Sequence, residues 1–283
     1  MRWLVADSLY CAEQFPFSHL DSYSYYLHEA GEFVRYTCLN LPLGSNRGEV
    51  AYSSWDRLFM LDRYASAMAI QAEKRIAQVA AVCSPMPWEV RKPDGAPAFD
   101  LVISSIPWMV EAARAAGCRA EYQALAFDLR CRAAVMGVKR EKKAIFVGTR
   151  SPAHPGRERA LTELADIIEI VPPVYGREFF RTLASATVLV QPHLEWARGC
   201  ANSMKLYESV GLGTAVIYDG KMVNEPRFGW GDEARTPRTM RDNVASALRA
   251  DDARECDERI VLAHHTYECA DRVPRLIEWS RSL

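Results

Sequence analysis

Residues 186–220 admit few folds. ATVLVQP is β-branched and apolar throughout, the composition of a strand buried on both faces. A polar loop carrying His193, Glu195, Arg198 and Gly199 follows it. Asn202 and Ser203 then stand where N-caps belong, ahead of the helical segment SMKLYESVG, which stops at Gly211 and Gly213. TAVIYD closes the stretch as a second buried strand. A helix that follows a buried strand aims its unpaired N–H groups and the positive end of its dipole beyond the sheet, an arrangement that favours a phosphate. Lys205 falls in that first turn, and Glu208 lies three residues on along the same side. A cation and a carboxylate one turn apart suit a diphosphate and a pair of ribose hydroxyls. An exposed ion pair on a solvated helix face is the competing reading.

The same alternation runs through the chain. RWLVAD, FVRYTCL, FDLVISS and the strand-like AEYQALAFD are the expected strands of the first half. Helices are expected from about residue 18 to Gly31, and over PWMVEAARAAG with Pro107 near its start and Gly117 at its end. A third is expected from about Ser54 through DRLFMLDRYASAMAIQAEKRIAQV, where apolar residues recur at helical spacing. The basic, weakly periodic run RCRAAVMGVKREKK marks a boundary and divides the chain into domains 1–130 and 131–283. Beyond it KAIFVGT, IIEIVPP and TVLVQP alternate with helices over RERALTELA and GREFFRTLASA, and two helices over about 236–250 and 252–283 end the chain. Strand–helix alternation of this kind implies parallel sheets covered on both faces, so the fold class is α/β with two Rossmann-like domains.

Composition narrows the function. A net charge of −1 over 283 residues offers no bulk attraction to DNA or to anionic membranes. No run approaches the roughly 18 apolar residues of a membrane span, and MRWLVADSLY lacks the regions of a signal peptide. The eight cysteines are scattered without a C-x-x-C pair, which fits reduced thiols in a cytoplasmic protein better than a zinc site or a disulfide framework. No D-x-D occurs, so no carboxylate pair of that kind holds a metal–diphosphate, and no metal site is expected. Gly211 and Gly213 are not a dinucleotide fingerprint, because they follow a helix and precede a strand.

Four segments carry a resemblance. AIFVGTRSPAHPGRERALTEL, VYGREFFRTLASATVLVQPH, ANSMKLYESVGLGTAVIYDG and HHTYECADRVPRLIEW stand in the order found in group 1 glycosyltransferases, and resemble most the spore-maturation (CgeB-like) branch. They cover about half the chain. The resemblance implies the GT-B architecture, two Rossmann-like domains facing across a cleft, here with a reduced N-terminal domain on the acceptor side and a terminal helix packing back on it. It implies a transferase that moves a sugar from a nucleotide-activated donor, UDP- or GDP-linked, to an unidentified acceptor, retaining and independent of metal and cofactor. Two departures stand out. Many group 1 members carry a glutamate where this chain has Cys200, and Glu195 is the candidate to replace it. Lys205 stands where the branch usually has arginine, keeping the charge and losing the fork.

The loops after the second-domain strands supply the donor-binding candidates: Gly148, Thr149 and Arg150, then Tyr175 for the base, then His193, Glu195, Arg198, Asn202 and Ser203 beside Lys205 and Glu208. Lys205, Arg150, Arg198 and the helix dipole would stabilise the leaving diphosphate. In the first domain His19 or Asp21 is the candidate catalytic base; helix capping by Asp21 and a surface histidine are the competing reading. A non-catalytic nucleotide-sugar-binding protein, and a phage-type enzyme acting on a hydroxymethylated DNA base, are the alternative functions. The basic run at 130–143 keeps the second of these open.

Overall fold

The computed structural model of the chain describes residues 1–7, 19–38, 54–61, 64, 69–79, 85–192, 204–219, 237–250 and 269–283. The chain divides into two compact units, one formed by Met1–Ala124 with Cys269–Leu283 and the other by Leu125–Glu268.

The first unit begins β1 (Arg2–Asp7), α1 (His19–Glu29), β2 (Phe33–Cys38), β3 (Trp55–Leu61), β4 (Ala72–Val79), β5 (Leu101–Ser104), α2 (Pro107–Ala115) and β6 (Ala120–Tyr122). Its six strands pair in parallel in the order β2-β1-β3-β4-β5-β6. The helix expected from Ser54 is therefore two strands, β3 and β4. Both lie in the middle of the sheet, so Leu58, Phe59 and Met60 are all fully buried, as are Ile76 and Ala77. A strand covered on both faces reads as a continuous apolar run, which fits a helical template as well as a strand until length and pairing decide. Among the described residues the first unit thus carries six strands and the second four.

The second unit comprises α3 (Cys131–Ala134), β7 (Glu141–Val147), α4 (Pro155–Leu164), β8 (Glu169–Val171), α5 (Gly176–Ala184), β9 (Ala186–Gln191), α6 (Met204–Gly211), β10 (Ala215–Tyr218) and α7 (Pro237–Ala250). Its four strands are parallel in the order β10-β9-β7-β8. One face of this sheet packs Phe146, Val188, Val190 and Ile217 against Leu161 and Leu164 of α4 and Met240 and Val244 of α7. On another cluster Val216 and Tyr218 meet Leu206, Tyr207 and Val210 of α6, together with Leu125 and Phe127. The segment AEYQALAFD thus ends as a strand at Tyr122, and its last residues enter the core of the second unit.

The last helix, α8 (Cys269–Arg281), belongs to the first unit, where Val273, Leu276 and Ile277 share a core with Tyr23 and Leu27 of α1 and with Trp3, Phe59, Ile76 and Ile103 of the sheet. Arg57 of β3 donates Nε and Nη2 to the Ser280 carbonyl at 3.1 and 2.8 Å, satisfying an end carbonyl of α8. No helix among the described residues is long and apolar enough to cross a membrane.

Half of the six cations of the basic run at 130–143 are occupied internally. Arg130 forks onto Asp128, with Nε 2.8 Å from Oδ2. Arg140 donates to the Gly213 and Leu212 carbonyls at 2.6 and 3.0 Å, holding the C-terminal end of α6, and Lys143 pairs with Glu141 and Glu169, each at 3.1 Å.

Candidate functional site

Strand order reverses direction between β7 and β9, and in open parallel sheets the crevice at such a point, beyond the carboxyl ends of the strands, is where ligands bind. Those two ends are Val147 and Gln191. At the first, Gly148 turns the chain with φ +145°, a backbone that side-chain-bearing residues rarely adopt, while its N–H donates to the Val171 carbonyl at 3.1 Å. A Cβ at this position would lie 2.9 Å from the Lys205 ammonium and 3.5 Å from Phe146 Cζ. The glycine is thus the floor on which Lys205 rests.

Helix α6 brings Lys205 there. Leu206, Tyr207 and Val210 bury one side of the helix, and Gly211 presses so closely on Phe127 that a Cβ would fall 2.5 Å from the ring's Cδ2. Held in this way, Lys205 reaches back to β7 and donates Nζ to the Val147 carbonyl at 2.6 Å. Its ammonium lies 6.0 Å from the centre of the Phe146 ring. Arg157, in the first turn of α4, brings its guanidinium within 5.7 Å of the same ring and donates Nε and Nη2 to the Pro192 carbonyl at 3.2 and 2.9 Å. Two cations therefore gather at the ends of β7 and β9, each tied to the carbonyl with which a strand leaves the sheet.

Glu208 sits one turn along α6 from Lys205 and is 9% exposed. Burial pushes its carboxyl up to about 7, with Lys205 pulling the other way. Burial likewise pushes Lys205 down to about 8, Arg157 adds to that, and Glu208 opposes it. Near neutral pH both groups are close to changing charge. Cys131 of α3 is buried nearby, its thiol held far above the ordinary range by burial first and then by Glu208 and Asp128, so it stays protonated. The arrangement is a pair of half-buried cations with one buried carboxyl beside them. It favours a polyanion with a hydroxyl-bearing portion attached.

The pair is not the solvated salt bridge that i, i+3 spacing suggests, since Glu208 is buried and Lys205 gives its hydrogen bond to the backbone of β7. Gly148 lies against Lys205, and Thr149 beside it is exposed. Arg150 is engaged along α4, donating Nε to Glu158 at 2.8 Å and Nη2 to Thr162 at 3.1 Å. Glu158, one turn into the helix, also accepts the Ser151 N–H at 2.8 Å. Tyr175 follows β8 at the N-terminus of α5 and is 57% exposed. His19 begins α1 and Asp21 lies half-buried in its first turn, both in the first unit. His193, Glu195, Arg198, Asn202 and Ser203 lie outside the described residues. Arg157 was not foreseen. Its signal is present in the sequence, as a cation in the opening turn of the helix after the unit's first strand, but Arg150 was nearer the glycine.

No known protein family matches the chain by sequence, and no curated protein does. Solved structures match over almost the whole chain. A glycosyltransferase of avilamycin A biosynthesis, AviGT4, is 15% identical with a TM-score of 0.62, over 99% of this chain and 97% of that one. HepE of Anabaena, solved with UDP and glucose, is 12% identical with a TM-score of 0.59 over the full length of both chains. An α-glucosyltransferase solved with UDP and a DNA 13-mer containing an HMU base is 8% identical with a TM-score of 0.68, over 99% of each chain. At such identities the likeness is one of fold: the chain has the GT-B architecture, with a parallel α/β sheet in each unit.

Proposed function

We propose that the second unit binds a nucleotide-activated sugar and that the chain is a glycosyltransferase of the group 1 kind, in the spore-maturation (CgeB-like) branch that its motifs resemble. The observation that carries this is the pair of a half-buried Lys205 and a buried Glu208, joined by Arg157, at the reversal point of the second sheet. Lys205 spends one hydrogen bond on Val147, and its remaining ammonium protons suit the donor diphosphate. Glu208 suits the ribose hydroxyls, accepting from them when ionised. Tyr175 is the group that would meet the base. Cations supplied by the protein take the place of a carboxylate-held metal in stabilising the leaving diphosphate, so the reaction is proposed to be metal-independent. Retention of configuration is carried over from the sequence resemblance; His19 or Asp21, read from their place after the first strand, is the proposed base on the acceptor side, and a retaining reaction can do without one. The three solved structures include two with UDP, which makes UDP the first nucleotide to test.

We do not extend the acceptor to a DNA base. Three of the six cations in the basic run, Arg130, Arg140 and Lys143, are occupied by carboxylates or by helix-end carbonyls. A protein that binds the donor without turning it over is separated from a transferase by donor hydrolysis. The test is a panel of UDP- and GDP-sugars followed for release of the nucleoside diphosphate, with and without EDTA. Release that survives the chelator supports the reading. Loss with EDTA and rescue by manganese defeats metal independence, and no binding of any donor by calorimetry defeats the whole.

A further inference from the structure

Residues 130–143 carry six cations and one carboxylate, a local charge of +5 in a chain whose total is −1. The candidate donor site takes up none of them. Three are engaged within the second unit: Arg130 by Asp128, Arg140 by the carbonyls that end α6, and Lys143 by Glu141 and Glu169. The other three, Arg132, Lys139 and Lys142, are exposed, and their side chains hold neither a carboxylate nor a carbonyl among the described residues. Helix α3 packs on α5, and the Glu141 N–H donates at 2.7 Å to the carbonyl of Ser185, just past the end of α5. Arg181, exposed in the last turn of α5, therefore joins the same end of the unit. Between Arg132 and Lys139 the chain turns, the Val138 N–H donating to the Val135 carbonyl at 3.0 Å with Gly137 at φ +77°. A glycine of that conformation at the third position of a turn leaves the second position at the corner. Met136 occupies the corner and is 80% exposed. A single exposed methionine is ordinary on a protein surface. At the corner of a turn with unpaired cations on either side it becomes an apolar tip set among positive charges.

We propose that this end of the second unit, with Arg132, Lys139, Lys142 and Arg181 beside the Met136 tip, docks on an anionic lipid surface. The guanidinium and ammonium groups meet the charged headgroups, and the methionine enters the boundary with the acyl chains. Long cationic side chains lie along such a boundary with the charge at headgroup level, and an apolar group among them adds burial that a purely ionic partner does not offer. A nucleic acid would reward the cations and leave Met136 in water. The net charge of the whole chain does not oppose this, because salt screens charges beyond about 8 Å and the membrane feels only the face turned to it. Four charges give a reversible attachment. The docking end is also the far one from the candidate donor crevice. That crevice lies past Val147, where β7 ends, while the cations gather where β7 begins at Glu141, and a seven-residue strand spans roughly 20 Å. Docking thus leaves the crevice open, and it holds or fails apart from the diphosphate reading.

The experiment is co-sedimentation of the full chain with vesicles of phosphatidylserine and phosphatidylcholine in equal parts, and with vesicles of phosphatidylcholine alone. Both are run at low salt and at about 0.15 M salt. Wild type should bind the anionic vesicles, lose most of that binding at the higher salt, and ignore the neutral ones. Each charge removed should weaken binding about fivefold, so the triple variant Arg132→Gln, Lys139→Gln, Lys142→Gln should lose on the order of a hundredfold. Met136→Ser should weaken vesicle binding several-fold at unchanged charge. Circular dichroism checks that the variants fold, which substitutions at exposed positions should not disturb. No binding to anionic vesicles at low salt, equal binding to neutral ones, or wild-type binding by the triple variant overturns the proposal. Vesicle binding that is indifferent to Met136→Ser and is competed away by duplex DNA assigns the patch to polyanions at large, and overturns it as well. So does a loss of UDP affinity in the folded triple variant, which would place these cations at the donor. If wild type binds no UDP, the donor reading fails and the vesicle result still decides this one.

Discussion

Replacing Glu208 with glutamine keeps the shape of the side chain and removes its charge. In the folded chain burial holds the Glu208 carboxyl at about 7, against an ordinary value of 4.5. Between those two pH values the folded chain binds more protons at this group than the unfolded chain does. The contribution of Glu208 to stability is therefore highest at the acid end and is lost as pH rises to 7. Raising the carboxyl from 4.5 to about 7 makes the ionised carboxylate cost about 3 kcal/mol at pH 8. Glutamine has no charge to desolvate and loses that slope. Part of the gain is returned, because Lys205 loses the carboxylate that favours its proton. Lys205 already titrates near 8, so it sheds the proton rather than persist as an isolated buried cation. Glu208→Gln is expected to be more stable than wild type by about 1–3 kcal/mol at pH 8 and close to it at pH 5. Urea unfolding followed by circular dichroism at pH 5, 6.5 and 8 reads this directly. The same variant should bind UDP and uridine roughly 10- to 100-fold more weakly, since both carry the ribose. Equal stability at pH 8 would show that the carboxyl is not desolvated. A stabilised variant with wild-type affinity for UDP would strip Glu208 of its ribose role.

Three further substitutions separate the parts of the site. Lys205→Ala should weaken UDP by about tenfold or more while leaving uridine nearly unchanged, because the ammonium acts on phosphate charge; calorimetry against both ligands decides. Arg150→Ala should leave UDP affinity within about twofold of wild type, since its guanidinium is turned along α4 onto Glu158 and Thr162. A tenfold loss there would restore Arg150 to the donor site. Gly211→Ala puts a Cβ 2.5 Å from Phe127 Cδ2 in a packed cluster, so it should destabilise the second unit by about 1–3 kcal/mol, read from the urea midpoint. Wild-type stability would mean that the α6–Phe127 contact yields readily.

The sequence by itself determined the elements whose signals are local. ATVLVQP, SMKLYESVG and TAVIYD became β9, α6 and β10 in register, because an apolar β-branched run and a glycine-stopped helix are written in adjacent residues. Proline near the start and glycine past the end likewise fixed α2 at Pro107–Ala115. Lys205 and Glu208 were legible as a pair for the same reason, being one helical turn apart. Tertiary structure decided everything that depends on who the distant neighbour is. The run after Ser54 became β3 and β4 only because both are flanked by strands on either side, a pairing that periodicity cannot report. Which partner a cation meets is decided by contacts of the same kind: Arg150 meets Glu158 along α4, while Arg157 meets a carbonyl 35 residues away and Lys205 one 58 residues away. Burial turned a helix-surface ion pair into two desolvated groups poised near neutral pH. Desolvation is a property of the whole surrounding volume, and no stretch of sequence carries it.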